Sequence, residues 1–130
     1  MKEKILVVED DFSLRSLMEV VFENEGYSVS LAGDGISALK ILENGHFDIL
    51  VTDINMPNMN GIELFNKVKK LFPQIPVIFV SGYDYKNLAE KLLREGALYF
   101  FKKPFDLNIL KRAIKSILAM KSSESKMNML

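Results

Sequence analysis

Four runs in this 130-residue chain are short, apolar and nearly unbroken: Lys4-Ile5-Leu6-Val7-Val8, Phe47-Asp48-Ile49-Leu50-Val51, Pro76-Val77-Ile78-Phe79-Val80 and Leu98-Tyr99-Phe100-Phe101. Runs rich in Val, Ile and Phe, without polar alternation, suit strands buried on both faces, as in a parallel sheet. A fifth, Tyr27-Ser28-Val29-Ser30-Leu31, alternates as an edge strand does. The stretches between them change period. Leu14, Leu17, Met18, Val21 and Phe22 fall at helical spacing, and Gly26 supplies a stop. Ile36, Leu39 and Leu42 follow Asp34, a candidate N-cap. Ile62, Leu64, Phe65, Val68 and Leu71 form a third pattern before Pro73, and Leu88, Leu92 and Leu93 a fourth before Gly96. Asp106 precedes a fifth, with Ile109, Leu110, Ala113, Ile114, Ile117 and Leu118 on one broad face. Strand followed by helix, five times over, forces parallel pairing through right-handed crossovers, with helices covering both faces of the sheet. The expected fold is α/β, a single doubly wound (βα)5 sheet occupying residues 1–120. Residues 121–130 lose the periodicity and read as a polar tail or the start of a linker.

Composition removes several chemistries. Without cysteine there is no disulfide scaffold, zinc–thiolate site, iron–sulfur cluster or thiol nucleophile. A single histidine, His46, excludes multi-histidine metal sites, and its place ahead of the third strand puts it at the far end from any site on the carboxyl edge. No apolar run is long enough for a signal peptide or membrane span, so the expected compartment is the cytoplasm, without membrane contact. Net charge is zero, which gives no reason to expect nucleic-acid contact. The charge is uneven, however: residues 1–65 carry 12 Asp/Glu against 4 Lys/Arg, and residues 66–130 carry 5 against 13. An acidic first half invites a cation, and a basic second half could face a partner or simply be solvated helix surface.

The polar residues at the strand ends carry the functional information. Glu9, Asp10 and Asp11 follow the first strand, Asp53 ends the third, Ser81 the fourth and Lys103 the fifth. In an open parallel sheet the carboxyl ends of the strands share one edge, where ligands bind. Carboxylates gathered there repel one another, and a hard cation relieves the repulsion. A few oxygen ligands suit Mg2+ or Mn2+ better than zinc. A lysine on the same edge can neutralise a phosphoryl group, Ser81 can donate to it, and a carboxylate can be the nucleophile that accepts it. Each group has a plainer alternative: Asp11 or Ser13 as a helix cap, Ser81-Gly82 and Lys103-Pro104 as turns.

Together, Ile5-Leu6-Val7-Val8-Glu9-Asp10-Asp11, Thr52-Asp53-Ile54-Asn55-Met56-Pro57 with Gly61, Val80-Ser81-Gly82, Gly96-Ala97 and Lys103-Pro104-Phe105 resemble the receiver domains of two-component response regulators. The resemblance covers residues 4–120 and implies a chemotaxis-regulator-like, flavodoxin-like sheet of strand order 2-1-3-4-5. It also implies roles. Asp53 would be the phosphoacceptor. Mg2+, with Mn2+ as a substitute, would be held by Asp10, Asp53 and the Asn55 backbone carbonyl, with Glu9 acting mainly through water. Lys103 would contact the phosphoryl group, Ser81 would be the switch hydroxyl, Phe100 the switch aromatic, and the Lys103-Pro104 bond would be cis. Ser81 stands where Thr is frequent. Phe100 stands where Tyr is frequent, so a phenolic hydrogen bond is absent.

The implied function is Mg2+-dependent transfer of a phosphoryl group from a phosphohistidine to Asp53. The donor would be a sensor histidine kinase or a histidine phosphotransfer protein. The result would be a changed surface on the fourth helix, fifth strand and fifth helix, read by a downstream effector or used for homodimerisation. Such a chain catalyses only its own phosphorylation and dephosphorylation. Two alternatives share the sheet. A haloacid-dehalogenase-type phosphotransferase wants a second Asp two residues after its nucleophile, where this chain has Asn55. A flavin or nucleotide module wants a phosphate-cradling loop after the first strand, where Glu9-Asp10-Asp11 would repel phosphate. A degenerate receiver used only for docking is the third alternative.

Overall fold

The computed structural model describes residues 2–83 and 87–128, with side chains as far as residue 123. Five parallel strands form one sheet in the order β2-β1-β3-β4-β5. They are β1 (Lys4–Val8), β2 (Ser28–Ala32), β3 (Ile49–Thr52), β4 (Val77–Ser81) and β5 (Tyr99–Lys102). The helices are α1 (Phe12–Asn24), α2 (Gly35–Glu43), α3 (Gly61–Leu71), α4 (Leu88–Arg94) and α5 (Leu107–Asn128).

Strand pleat divides the core in two. Ile5, Val7, Ile49, Val51, Ile78 and Val80 pack against α1 and α5 through Met18, Phe22, Leu110, Ile114 and Ile117. Their neighbours Leu6, Val8, Leu50, Val77 and Phe79 pack on the opposite face against α2, α3 and α4 through Ala38, Leu42, Leu64, Phe65, Val68 and Leu92. Period-two alternation thus delivers successive residues of a central strand to opposite layers, and both layers are apolar. This is why β1, β3 and β4 read as unbroken hydrophobic runs.

Local chemistry sets the helix ends. The Asp11 carboxylate accepts from the Ser13 and Leu14 amides and caps α1; Asp34 accepts from the Ser37 amide and caps α2. Asn60 and Glu63 form a reciprocal capping box at α3. Gly26 and Gly96 follow α1 and α4 with φ of 95° and 117°, the left-handed conformation that ends a helix. At α5, the Asp106 carboxylate accepts from the Asn108 amide at 2.8 Å.

Two expectations change. Leu98-Tyr99-Phe100-Phe101 reads by composition as a run buried on both faces, but Leu98 is 47% and Tyr99 39% exposed, in keeping with the edge place that the expected order 2-1-3-4-5 gives β5. Its aromatic density reflects ring packing: Tyr99 stacks on Phe101 at 5.7 Å, and Phe101 lies 6.4 Å from Phe105. Leu17, Ile36, Leu71, Leu93 and Ile109 fit inner helical faces by spacing, yet all are exposed. An i, i+3, i+4 stripe spans a wider arc than the part of a helix that meets a sheet. Separately, α5 continues through Asn128, so the polar segment expected as a tail or the start of a linker has helical backbone as far as that residue. The Lys121 ammonium donates to the Asp48 carbonyl at 2.9 Å and ties this end of α5 to the sheet.

Candidate functional site

Three strands, β1, β3 and β5, hand the residue after them to the same edge through one further ladder bond. The Glu9 amide donates to Ala32 O (3.0 Å), the Asp53 amide to Val8 O (2.9 Å) and the Lys103 amide to Ser81 O (2.7 Å). Backbone pairing, not loop conformation, therefore fixes where these side chains start. His46 sits at the other end of the sheet, its Nε2 3.2 Å from Asp48 Oδ1, while Asp48 Oδ2 accepts from the Lys4 amide.

The Lys103 ammonium donates to Asp53 Oδ2 at 2.8 Å and to Glu9 Oε1 at 2.7 Å. Glu9 is fully buried and Asp53 is 5% exposed, whereas Asp10 reaches solvent. Carboxylate oxygens of Glu9, Asp10 and Asp53 lie within 4.8 Å of one another. Burial dominates at Glu9 and pushes its carboxyl up to about 7, against the pull of Lys103, the Asp11 amide bond acting with Lys103 and the charge of Asp53 adding to the rise. Burial also works against the charge on Lys103, but its bonds to Asp53 and Glu9 outweigh that and raise its pKa.

The carboxylates are held from behind. Asp53 Oδ1 accepts from the Ile54 amide at 2.6 Å, and the Thr52 hydroxyl donates to the Asp53 carbonyl at 2.8 Å. Glu9 Oε2 accepts from the Asp11 amide at 3.0 Å, so both Glu9 oxygens are engaged within the chain. Arg15 donates to the Glu9 carbonyl at 2.7 Å. The segment after Asp53 closes through Gly61, whose amide donates to Ile54 O at 2.8 Å. A Cβ at Gly61 would collide with the Asp53 carbonyl, so this close approach requires glycine.

The remaining candidates fall around this group. Asn55 is exposed and follows the buried Ile54. Ser81 is fully buried at the end of β4, its hydroxyl accepting from the Tyr83 amide at 3.2 Å. Phe100 is half-buried on β5, its ring 6.4 Å from that of Phe79. The Lys103-Pro104 bond is cis. Asp11 is occupied as the α1 cap. Sequence reasoning missed Arg15, and took Thr52 only as part of the Asp53 motif without a role. Arg15 stands four residues after the cap, one turn into α1, and no spacing in the sequence singles it out as reaching back to the Glu9 carbonyl.

The donor set is three carboxylates with no sulfur and no imidazole, which fits Mg2+ or Mn2+ and not zinc. A nucleophilic carboxylate, a cation-binding set and an ammonium within hydrogen-bond reach of the nucleophile are the parts that phosphoryl transfer to an aspartate needs.

The chain is similar to known proteins in sequence and in fold. The family described as response regulator receiver domain matches residues 5–115. Sporulation initiation phosphotransferase F of Bacillus subtilis is 36% identical over 123 residues, covering 95% of this chain and 99% of that protein. The transcriptional regulatory protein ZraR of Klebsiella oxytoca is 36% identical over 115 residues, 88% of this chain; the chain spans only 26% of that relative. A CheY-like receiver domain from Methanospirillum hungatei superposes with a TM-score of 0.90 at 32% identity, covering 95% of this chain and 99% of that one. TrrA from Thermotoga maritima, solved in complex with Mg2+ and BeF, does so at 0.79 and 29% identity, covering 88% of this chain and 98% of that one. The ladder-placed Glu9, Asp53 and Lys103 and the 2-1-3-4-5 sheet thus meet in one conclusion: this chain belongs to the response regulator receiver domains of two-component signalling.

Proposed function

We propose that this receiver accepts a phosphoryl group on Asp53. The observation that carries the reading is the Lys103 ammonium, within 2.8 Å of Asp53 Oδ2, beside the Glu9–Asp10–Asp53 carboxylates. In the proposed step an Asp53 oxygen attacks phosphorus, the phosphorus–nitrogen bond of a phosphohistidine breaks, and the imidazole leaves and takes up a proton. Lys103 follows charge from the carboxylate to the phosphoryl oxygens. Asp10, Asp53 and the Asn55 carbonyl would hold Mg2+. The ion, when bound, neutralises and orients the phosphoryl oxygens. Glu9 has both oxygens committed to Lys103 and the Asp11 amide, which supports a role through water.

The Ser81 hydroxyl, which accepts from the Tyr83 amide at the end of β4, would donate its proton to an oxygen of the new dianion. Phe100 would repack beside Phe79 as that loop moves. The readout would be a population shift at α4, β5 and α5. Exposed Leu93, Leu98 and Tyr99 give that face apolar surface for an effector or a second copy. We assign the donor to the histidine kinase or histidine phosphotransfer class, the place of action to the cytoplasm, and the catalysis to the chain's own modification alone. Among the described residues no helix is long and apolar enough to cross a membrane.

Incubation with Mg2+ and acetyl phosphate, followed by intact-mass measurement, tests this. One added phosphoryl group, lost on chelation and in Asp53→Asn, is expected. Labelling that persists in Asp53→Asn would remove the assignment.

A further inference from the structure

The segment from Ile54 to Asn60 would carry the Asn55 carbonyl to the ion, and its outer side is fastened to a different element. Asn58 Nδ2 donates to Asp34 Oδ2 at 2.9 Å, and the Gly35 amide donates to the Met59 carbonyl at 3.0 Å. Asp34 and Gly35 begin α2 just after β2, and Asp34 is 24 residues from Asn58 in sequence. The fit is close: a Cβ on Gly35 would lie 2.8 Å from the Met59 carbonyl oxygen. Met59 also packs against the core on the α2–α3 side. The inner side closes on itself, Gly61 N to Ile54 O at 2.8 Å, directly behind Asp53. The loop therefore has two fixed points, Asp53 and the start of α2, with Asn55 between them.

Helix capping alone does not account for the outer one. Asp34 Oδ1 serves the Ser37 amide at 2.8 Å, and the bond from Asn58 goes to the other oxygen. Asn58 has φ 67°, a left-handed conformation that glycine adopts at least cost. A side chain is nevertheless present there, and its amide faces Asp34.

We propose that Asp34 and Asn58 form a latch that positions the phosphoacceptor loop and so sets the chain's affinity for its divalent cation; both are positioning residues, and the inference rests on the metal reading above. The latch makes the start of α2 part of the metal site without touching the ion.

The test is a reciprocal exchange in the full chain, with Mg2+ binding followed by amide chemical-shift titration with MgCl2. Asn58→Asp sets two carboxylates against each other. An added negative charge by itself draws a cation in, so a weaker dissociation constant would report loop displacement. We expect weakening of roughly three- to tenfold. Asp34→Asn keeps an acceptor facing Asn58 and a helix cap, and is expected to weaken binding less. The double variant Asp34→Asn/Asn58→Asp restores one donor and one acceptor at unchanged net charge. It is expected to return to within about twofold of the parent chain. Binding by Asn58→Asp as tight as the parent's, or a double variant as weak as Asn58→Asp, overturns the latch. So does a lowered urea midpoint in Asn58→Asp with an unchanged dissociation constant, since that is a purely structural role. A parent chain that binds no Mg2+ overturns the metal reading and the latch with it.

Discussion

Lys103 Nζ stands 2.8 Å from Asp53 Oδ2 across 50 residues of chain, and the same ammonium meets Glu9 Oε1 at 2.7 Å across 94. One cation thus holds two buried carboxylates side by side. The site's electrostatics turn on it, because Lys103 is the group that bridges Glu9 and Asp53.

Lys103→Met should therefore have two separable effects. Labelling by acetyl phosphate should fall roughly 10²- to 10³-fold, the usual cost of losing a donor aimed at developing charge. Stability without Mg2+ should also fall, but by less than the about 3–5 kcal/mol typical of a broken buried pair. The raised pKa of Glu9 explains the shortfall, since Glu9 can take up a proton when its counterion is lost. Urea unfolding with and without Mg2+ checks this; a variant as stable as the parent chain under chelation would count against the bridging role.

Glu9 also gives the ion-free protein a pH signature. Its carboxyl titrates at about 7 in the fold against 4.5 ordinarily, because burial disfavours the charge. Between those values the folded chain binds more protons at this site than the unfolded chain, so its contribution to stability falls as pH rises. Under chelation, the Glu9 contribution should be present below the ordinary carboxylate pKa and lost as pH approaches and passes 7. Glu9→Gln should flatten that slope. Equal slopes for parent and variant would exclude Glu9 as the titrating group.

Much of this was readable beforehand, for reasons that particular residues show. Ile5 and Leu6 face opposite apolar layers, so β1 appears as an unbroken run. Glu9, Asp53 and Lys103 each sit one position past a strand, and parallel pairing alone brings such positions to one edge. The strand order that the resemblance implies already puts β5 at the edge, but its exposure was hidden in composition, because aromatic stacking of Tyr99 on Phe101 looks in sequence like burial. Arg15 and the Asp34–Asn58 bond were hidden for another reason. They depend on the angle at which one loop passes another, a tertiary quantity with no period.

Gly61→Ala should be among the more damaging small substitutions in the chain. The added methyl meets the Asp53 carbonyl, which is backbone, and that carbonyl also accepts from Thr52. Overpacking of this kind costs about 1–3 kcal/mol. The displaced carbonyl belongs to Asp53, the proposed phosphoacceptor, so labelling should fall along with the urea midpoint. A normal midpoint in Gly61→Ala would mean that the β3–α3 junction yields without cost.

Asp34→Ala probes acid stability with the opposite sign to Glu9. Bonds from the Ser37 amide, and then from Asn58, hold the Asp34 carboxyl below its ordinary pKa. A depressed folded-state pKa contributes stability that is complete above the unfolded value and disappears as pH falls through the folded one. At neutral pH the substitution removes the α2 cap and should cost about 1 kcal/mol. The gap between parent and variant should close as pH drops below the ordinary carboxylate range, while the Glu9 effect acts at higher pH and remains in both chains. Urea midpoints for the pair, measured from neutral pH downward, separate the two. A gap that stays constant into acid would show that Asp34 stabilises α2 by shape and not by charge.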